Sequence, residues 1–261
     1  MLKNIYAPLS GGEAQERVME ILSNNLANVQ TTAFKRDLIT FEAQEANPWP
    51  NYPTALPPAP FKVDMNSLYP LKGNEMSYVT LSDIKTDHTQ GPLQKTDHDS
   101  HVALEGNGYF EVMTPFGTRY TRDGSFDLNA NGTLVTKQGH VVQGEKGGSI
   151  IIPSSSPKLS ILPTGEVYAG ENLLDKIKVT SFQDESLLER LGSNLWTHNG
   201  PPDNEKSFSG RLHQGYLEGS NVNMMQDLTN LIVAHRTYEA LQKSIKSQEN
   251  TMQNANKIAD I

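Results

Sequence analysis

The apolar positions at both ends of the chain recur at helical spacing. From Asn4 to Val29, residues Ile5, Leu9, Val18, Met19, Leu22, Leu26 and Val29 predict an amphipathic helix whose start is frayed or delayed by Pro8. The run Ser23-Asn24-Asn25-Leu26-Ala27-Asn28 ends it near Asn28, because Asn is a poor interior helix former that tolerates the left-handed region. A second helix is predicted from Asn223 to Ile258, with Asn223 as N-cap and Asp227 facing the positive end of the dipole. Its positions Leu228, Leu231, His235, Tyr238, Leu241, Ile245, Gln248, Met252, Ala255 and Ala259 follow a near-heptad alternation. That mixture of apolar and polar residues suits a multi-helix assembly better than an isolated dimer.

Between the helices the period changes. Residues 47–61 hold six of the 15 prolines, which excludes helix or central strand and predicts an extended connector or surface arm. From Ser77 to about Leu217 come short β-branched and aromatic runs with turn signals roughly every six to twelve residues. Strands are expected at Ser77–Lys85, His101–Leu104, Tyr109–Met113, Thr118–Arg122, Phe126–Leu128, Thr133–Thr136 and His140–Gln143. Others are expected at Ile150–Ile152, Lys158–Leu162, Glu166–Ala169, Ile177–Phe182 and Arg211–Leu217. Asn129-Ala130-Asn131-Gly132 and Pro163-Thr164-Gly165 read as hairpin turns, and a short helix is expected around Glu185–Arg190.

The fold class is therefore mainly β with terminal α: an all-β domain inserted between helices that pair as a coiled coil. The expected divisions are residues 1–35 for the first helix and its turn, 36–76 for the connector, 77–217 for the β-domain and 218–261 for the last helix. A helix of Asn223–Ile258 is too long for so small a β-domain to cover, which favours assembly through the ends. The expected seam positions are Leu22, Leu26, Leu228, Leu231, Tyr238, Leu241 and Ile245. Asn25, Asn28 and Asn221 are expected to satisfy backbone groups at the helix ends.

Composition narrows the function classes. The formal net charge is -8 and no stretch concentrates Lys and Arg among aromatics, so nucleic acid and anionic membrane are poor partners. Mean hydropathy is -0.52, which suits a modest core with segments that bury apolar faces only against partners. The chain has no cysteine, which removes disulfides, thiolate metal sites and a thiol nucleophile. The first ten residues lack the apolar run of a cleaved signal, and nowhere do about 18 apolar residues run together as a membrane span requires.

Few motifs suggest chemistry. Asp127-Leu-Asn129-Ala-Asn131-Gly132 opens like a calcium loop, but Gln138 stands at the twelfth position and the flanks read as strands, so a hairpin turn is preferred. Asp97-His98-Asp99-Ser100-His101 is the densest group of metal-ligand types, yet an extended backbone there would send His98 and His101 to opposite faces. Gly106-Asn-Gly108 lacks the third glycine of a dinucleotide fingerprint, and Gly139 to Lys146 has Glu145 where a P-loop has Lys. No catalytic residue and no cofactor are expected. The competing class is a ligand- or metal-binding β-domain with helical arms, for which His98 and His101 discriminate.

Three blocks carry a family likeness. Ser23-Asn24-Asn25-Leu26-Ala27-Asn28-Val29-Gln-Thr31-Thr-Ala33-Phe34-Lys35 resembles the N-terminal signature of flagellar axial proteins, the rod and hook subunits. Gly215-Tyr-Leu-Glu218-Gly-Ser220-Asn221-Val222-Asn223, followed by Arg236-Thr-Tyr238-Glu239, is similar to their C-terminal signature. Between them stand Gln90-Gly91-Pro92-Leu93, Ala103 to Phe110, Arg119 to Phe126 and Gly132 to Thr136. The resemblance implies terminal helices lining a hollow tube with the β-domain outside, and a mechanical role without catalysis. It further implies assembly with other rod subunits, export through the flagellar type III apparatus without a cleaved signal peptide, and a place in the basal body within the periplasm. Tyr238-Glu-Ala-Leu-Gln-Lys243 and Gln90-Gly-Pro-Leu93 look more like the proximal rod protein than the distal one. Ala33 stands where that family usually has Gly, so a positive-φ turn there is expected to be strained or absent.

Overall fold

The computed structural model describes residues 3–45, 77–153, 159–201 and 204–259; the proline-rich 47–61 segment lies outside them. Helix α1 runs over Lys3–Ala27 with Pro8 inside it, and α2 over Met224–Ala259. Between them come β1 (Asp37–Glu45), β2 (Ser77–Thr86), β3 (Leu93–Lys95), β4 (Val102–Glu105), β5 (Tyr109–Thr114) and β6 (Gly117–Thr121). Then follow β7 (Phe126–Leu128), β8 (Leu134–Thr136), β9 (Val141–Val142), β10 (Leu159–Ile161), β11 (Glu166–Ala169) and β12 (Asn172–Lys176). The series closes with β13 (Val179–Phe182), β14 (Leu188–Gly192), β15 (Leu195–His198), β16 (Glu205–Ser207), β17 (Arg211–Gln214) and β18 (Tyr216–Glu218).

These elements form two units. The helices as far as Ser23 and from Met225, with β1 and β2, make one; Asn24–Asp37 and Lys85–Met224 make the other. In the first, α1 and α2 pair as a coiled coil. On α2 the shielded positions are Asp227, Leu231, Ala234, Tyr238, Leu241, Ile245 and Gln248, a strict alternation of four and three. Gly11 of α1 faces Leu241, whose Cδ1 would lie 3.4 Å from a β-carbon built there. Strands β1 and β2 pair with each other, so part of the stretch read as a connector is β structure.

In the second unit β5 is the central strand of a nine-stranded sheet ordered β14-β15-β6-β5-β9-β8-β7, with β13 joined to β5 and β16 to β13. Alternation along β5 sends Phe110 and Val112 to one face and Tyr109 to the other, and both faces are buried. The first face shares its core with Leu159, Ile161, Val167 and Ala169 of the meander β10-β11-β12. The second holds Tyr109, Tyr120, Phe182, Leu188 and Trp196. Segment Arg211–Glu218 returns beside the start of the unit, β17 on β4 and β18 on β3, with Gly215 at φ 75 making the step between them.

Asn129 to Gly132 turns β7 into β8, the Asn129 side chain accepting the Asn131 and Thr133 amides, and Pro163 to Gly165 turns β10 into β11. The helix expected around Glu185–Arg190 is corrected: Glu185–Leu187 is one 3-10 turn and Leu188–Gly192 is β14, because Leu188 and Arg190 face the aromatic core. Ile150–Ile152, expected as a strand, makes only a bridge from Ile151 to Thr133.

Candidate functional site: a buried ionic junction and the helical stripes

The three sequence blocks meet at one place in the β unit. After α1 ends, Asn28 Nδ2 donates to the Asn24 carbonyl at 2.9 Å and the chain turns through Ala33 at φ 55. The positive-φ turn is thus present although the residue is Ala, a conformation costing an L-residue about 1–2 kcal/mol. It is held because the Ala33 amide donates to the Glu218 carbonyl at 2.8 Å and Phe34 beside it is buried. Lys35 then points inward. Its Nζ donates to the Thr89 carbonyl at 2.7 Å and to Glu218 Oε1 at 2.6 Å. The same Oε1 accepts the Gly91 amide at 3.0 Å, and Glu218 Oε2 lies 3.3 Å from Arg122 Nη1. All three charged side chains are essentially inaccessible to solvent.

Neutral groups complete the tie. Asn221 accepts the Arg36 amide at 2.8 Å and donates to the carbonyls of Asp87, at 2.8 Å, and Thr89, at 3.1 Å. Asn25 and Asp37 exchange two side chain–backbone bonds of 3.0 Å each. Asn25 and Asn221 therefore satisfy extended backbone and loop groups rather than helix ends, because their carboxamides bond Asp37 of β1 and the loop residues Arg36, Asp87 and Thr89. Arg36 pairs with Asp87 at 2.9 Å, and Arg190 with Asp37 at 3.0 Å while its guanidinium lies over the Phe34 and Trp196 rings. Gly91 is required by space: a β-carbon there would come within 2.1 Å of the Gly219 carbonyl oxygen.

The charges perturb one another. Burial holds the Lys35 ammonium below its ordinary pKa, and Glu218 offsets only part of that. His88 is pushed down to about 4 by burial and then by the cations Lys35, Arg122 and Arg190; its Nδ1 lies 2.7 Å from the Tyr109 hydroxyl. Burial raises the Tyr109 phenol, with the Glu185 carboxylate adding to the effect. The arrangement cross-links segments far apart in sequence.

The remaining candidate residues fall elsewhere. Ser220 Oγ accepts the Val222 amide at 3.3 Å, and Val222 is buried. Leu22 and Leu26 are half-buried on α1, and Leu231, Tyr238, Leu241 and Ile245 lie on the shielded stripe of α2. Leu228 is 41% exposed, and it and His235 lie outside that stripe, where Asp227 and Ala234 stand instead. The pattern of four and three can be phased at neighbouring positions. Arg236 and Glu239 are exposed, and Glu239 lies 3.7 Å from His235. Met225, Leu228 and Ile232, at steps of three and four, form a second, solvent-facing apolar stripe. His98 and His101 are brought together, ring centroids 4.6 Å apart, because residues 98–101 form a turn rather than an extended run. Among the described residues no group of three His, Asp or Glu side chains is placed to hold a metal ion. Among them too, no helix is long and apolar enough to cross a membrane.

Lys35, Arg122 and Glu218 lie inside the quoted blocks, yet their pairing was not legible. Residues 183 and 96 positions apart meet here, and one sequence carries no signal for that.

Comparison with known proteins follows the same blocks. Residues 103–169 match the family described as flagellar hook protein FlgE/F/G D1 domain, and residues 213–258 that described as flagellar basal body rod FlgEFG protein C-terminal. The chain is 36% identical to the flagellar basal-body rod protein FlgG of Buchnera aphidicola subsp. Acyrthosiphon pisum, over 97% of this chain and 98% of the relative. It is 32% identical to FlgG of Borreliella burgdorferi, over 99% of each. To the flagellar basal-body rod protein FlgF of Caulobacter vibrioides it is 30% identical, over 92% of this chain and 90% of the relative.

Proposed function

The chain belongs to the flagellar basal-body rod protein family, and on that premise we propose that this rod subunit works as a mechanical part, its terminal helices ordering against neighbouring subunits while the buried junction ties the segments around Lys35 and Glu218 into the β unit. The observation that carries this reading is the similarity over nearly the whole chain to rod proteins, together with the meeting of all three signature blocks at one junction. Isolated helices are marginal in water, so the ends gain most of their stability by packing. Residues of the second α2 stripe such as Leu228 and Ile232 are already about half-covered, so covering the rest contributes about 1–2 kcal/mol each. The seam we propose uses Leu22, Leu26, Leu228, Leu231, Tyr238, Leu241 and Ile245, and none of the chain's groups acts as a catalyst.

Export in an unfolded state through the flagellar type III apparatus and assembly in the periplasm belong to this proposal, as does the lack of any nucleic-acid or membrane partner. Within the rod we propose the proximal segment, on the strength of Tyr238-Glu-Ala-Leu-Gln-Lys243 and Gln90-Gly-Pro-Leu93. The distal segment is the second reading, kept open by similarity to two differently named rod proteins. The test is purification of hook–basal bodies from cells carrying an epitope-tagged chain that still swim. The tag is expected in the rod, and electron cryomicroscopy of the labelled particles gives its segment. Basal bodies of normal stoichiometry without the tag would overturn the reading.

A further inference from the structure

The turn between β3 and β4 carries two histidines that an extended backbone would send to opposite faces and that the fold sets side by side. Residues 96–101 are pinned at both ends by one residue. Gly215, the step between β17 and β18, accepts the Thr96 amide at 2.7 Å and donates its own amide to the His101 carbonyl at 2.7 Å. Within the turn the His101 amide donates to the His98 carbonyl at 3.2 Å, and Gln214 Nε2 donates to the Asp99 carbonyl at 2.7 Å. The backbone that carries both imidazoles is therefore fixed before anything binds to them.

The contacts of His101 also select its tautomer. The Thr96 hydroxyl donates to the Gly215 carbonyl at 3.3 Å, so its oxygen accepts Nδ1–H of His101 at 3.0 Å. Nε2 then bears the lone pair, and a hydrogen bond on the far nitrogen is how metal-ligating imidazoles are oriented. His98 is exposed and His101 half-buried, so an ion reaches both from solvent. The ring centroids stand 4.6 Å apart, with the planes tilted by 43°. An ion held about 2.0–2.1 Å from a ring nitrogen lies about 3.2 Å from that ring's centroid, which puts two rings on one ion about 4.5 Å apart at a right angle and about 5.2 Å apart at the tetrahedral angle.

We propose that His98 and His101 form a chelating site for a divalent transition-metal ion of the nickel(II) or copper(II) class, which takes neighbouring imidazoles at right angles and fills its other positions with water. The observed separation matches the right-angled arrangement rather than the tetrahedral one. Two side chains suffice for such a site, so no third His, Asp or Glu is called for. Occupancy closes the 96–101 turn on itself beside Gly215, where the chain passes from β17 to β18.

The test uses the full chain without a polyhistidine tag and follows the backbone amides of residues 96–101 by NMR during titration with nickel(II) chloride near neutral pH. Paramagnetic broadening should reach this turn before it reaches any other histidine. His98→Ala and His101→Ala should each raise the half-broadening concentration at least about tenfold, the gain expected when a second ligand is held on the same short turn. A nickel-soaked crystal should show an anomalous peak within bonding distance of both rings, with the two nitrogens close to a right angle at the ion. Broadening unchanged in His98→Ala, or a peak at one ring only, means an adventitious ion only and overturns the proposal. His98 is exposed, so its variant keeps the fold and decides the matter alone if His101→Ala does not fold.

Discussion

Glu218 and Lys35 should not be equally sensitive, although they are partners at 2.6 Å. Replacing Glu218 by Gln removes the anion that, among the described residues, is bonded to both enclosed cations, Lys35 and Arg122, and weakens the acceptor for the Gly91 amide. Breaking a buried pair by removing one partner costs about 3–5 kcal/mol, chiefly through the charge left behind. Replacing Lys35 by Met leaves a balanced pair: Glu218 keeps Arg122 at 3.3 Å and the Gly91 amide at 3.0 Å, and Asn221 Nδ2 still donates to the Thr89 carbonyl at 3.1 Å. Burial already works against the Lys35 charge, so its loss returns part of the desolvation cost, and about 1 kcal/mol is expected. The double variant should then be more stable than Glu218→Gln alone, a coupling of about 2 kcal/mol. Urea unfolding followed by fluorescence in a Trp49→Phe background, so that only Trp196 of the β unit reports, measures all four corners. Equal costs for the two single changes, or strict additivity in the double, would falsify the account of the junction.

Other expectations follow from the same residues. Gly91→Ala should destabilise the β unit by at least about 2 kcal/mol, since its methyl would meet the Gly219 carbonyl oxygen at 2.1 Å; thermal unfolding reads this, and an unchanged melting temperature refutes it. His88 titrates at about 4 in the folded chain against 6.5 when free, so the unfolded chain takes the proton first. Its contribution is present above pH 6.5 and is lost as pH falls towards 4, by up to about 3 kcal/mol, less what solvent screening removes from a partly exposed ring. Comparing urea midpoints of the unaltered chain and His88→Gln at pH 7 and pH 4.5 isolates this, and parallel pH profiles would count against it. Leu241→Ala should weaken the α1–α2 pair by about 1–2 kcal/mol, below the range of about 2–5 kcal/mol for fully buried leucine because the side chain is half-covered. Leu228→Ala and Ile232→Ala should stay within about 0.5 kcal/mol in the monomer yet reduce incorporation into basal bodies. Unaffected incorporation would move the seam to another face.

Local chemistry determined much of this protein from the sequence alone. The 3.6-residue period fixed both helices to within a residue or two at most ends, and Asn129 to Gly132 and Pro163 to Gly165 specify their turns through side chains next to them in the chain. Strands β7 and β11 were legible to the residue, because alternation and turn signals bound them closely. Short strands such as β3, β14 and β16 were not, since their residues carry little propensity and are held in place by partners. Ala33 shows tertiary context overriding local preference: one hydrogen bond to Glu218 and a buried neighbour hold a conformation that Ala disfavours. His98 and His101 show the reverse dependence, since a turn rather than an extended backbone decides which way two rings point. The phase of the α2 stripe and the Lys35–Glu218–Arg122 junction were decided only when the chain folded. Periodicity gives a repeat but not its origin, and a charge's partner is set by three-dimensional proximity that the order of residues does not encode.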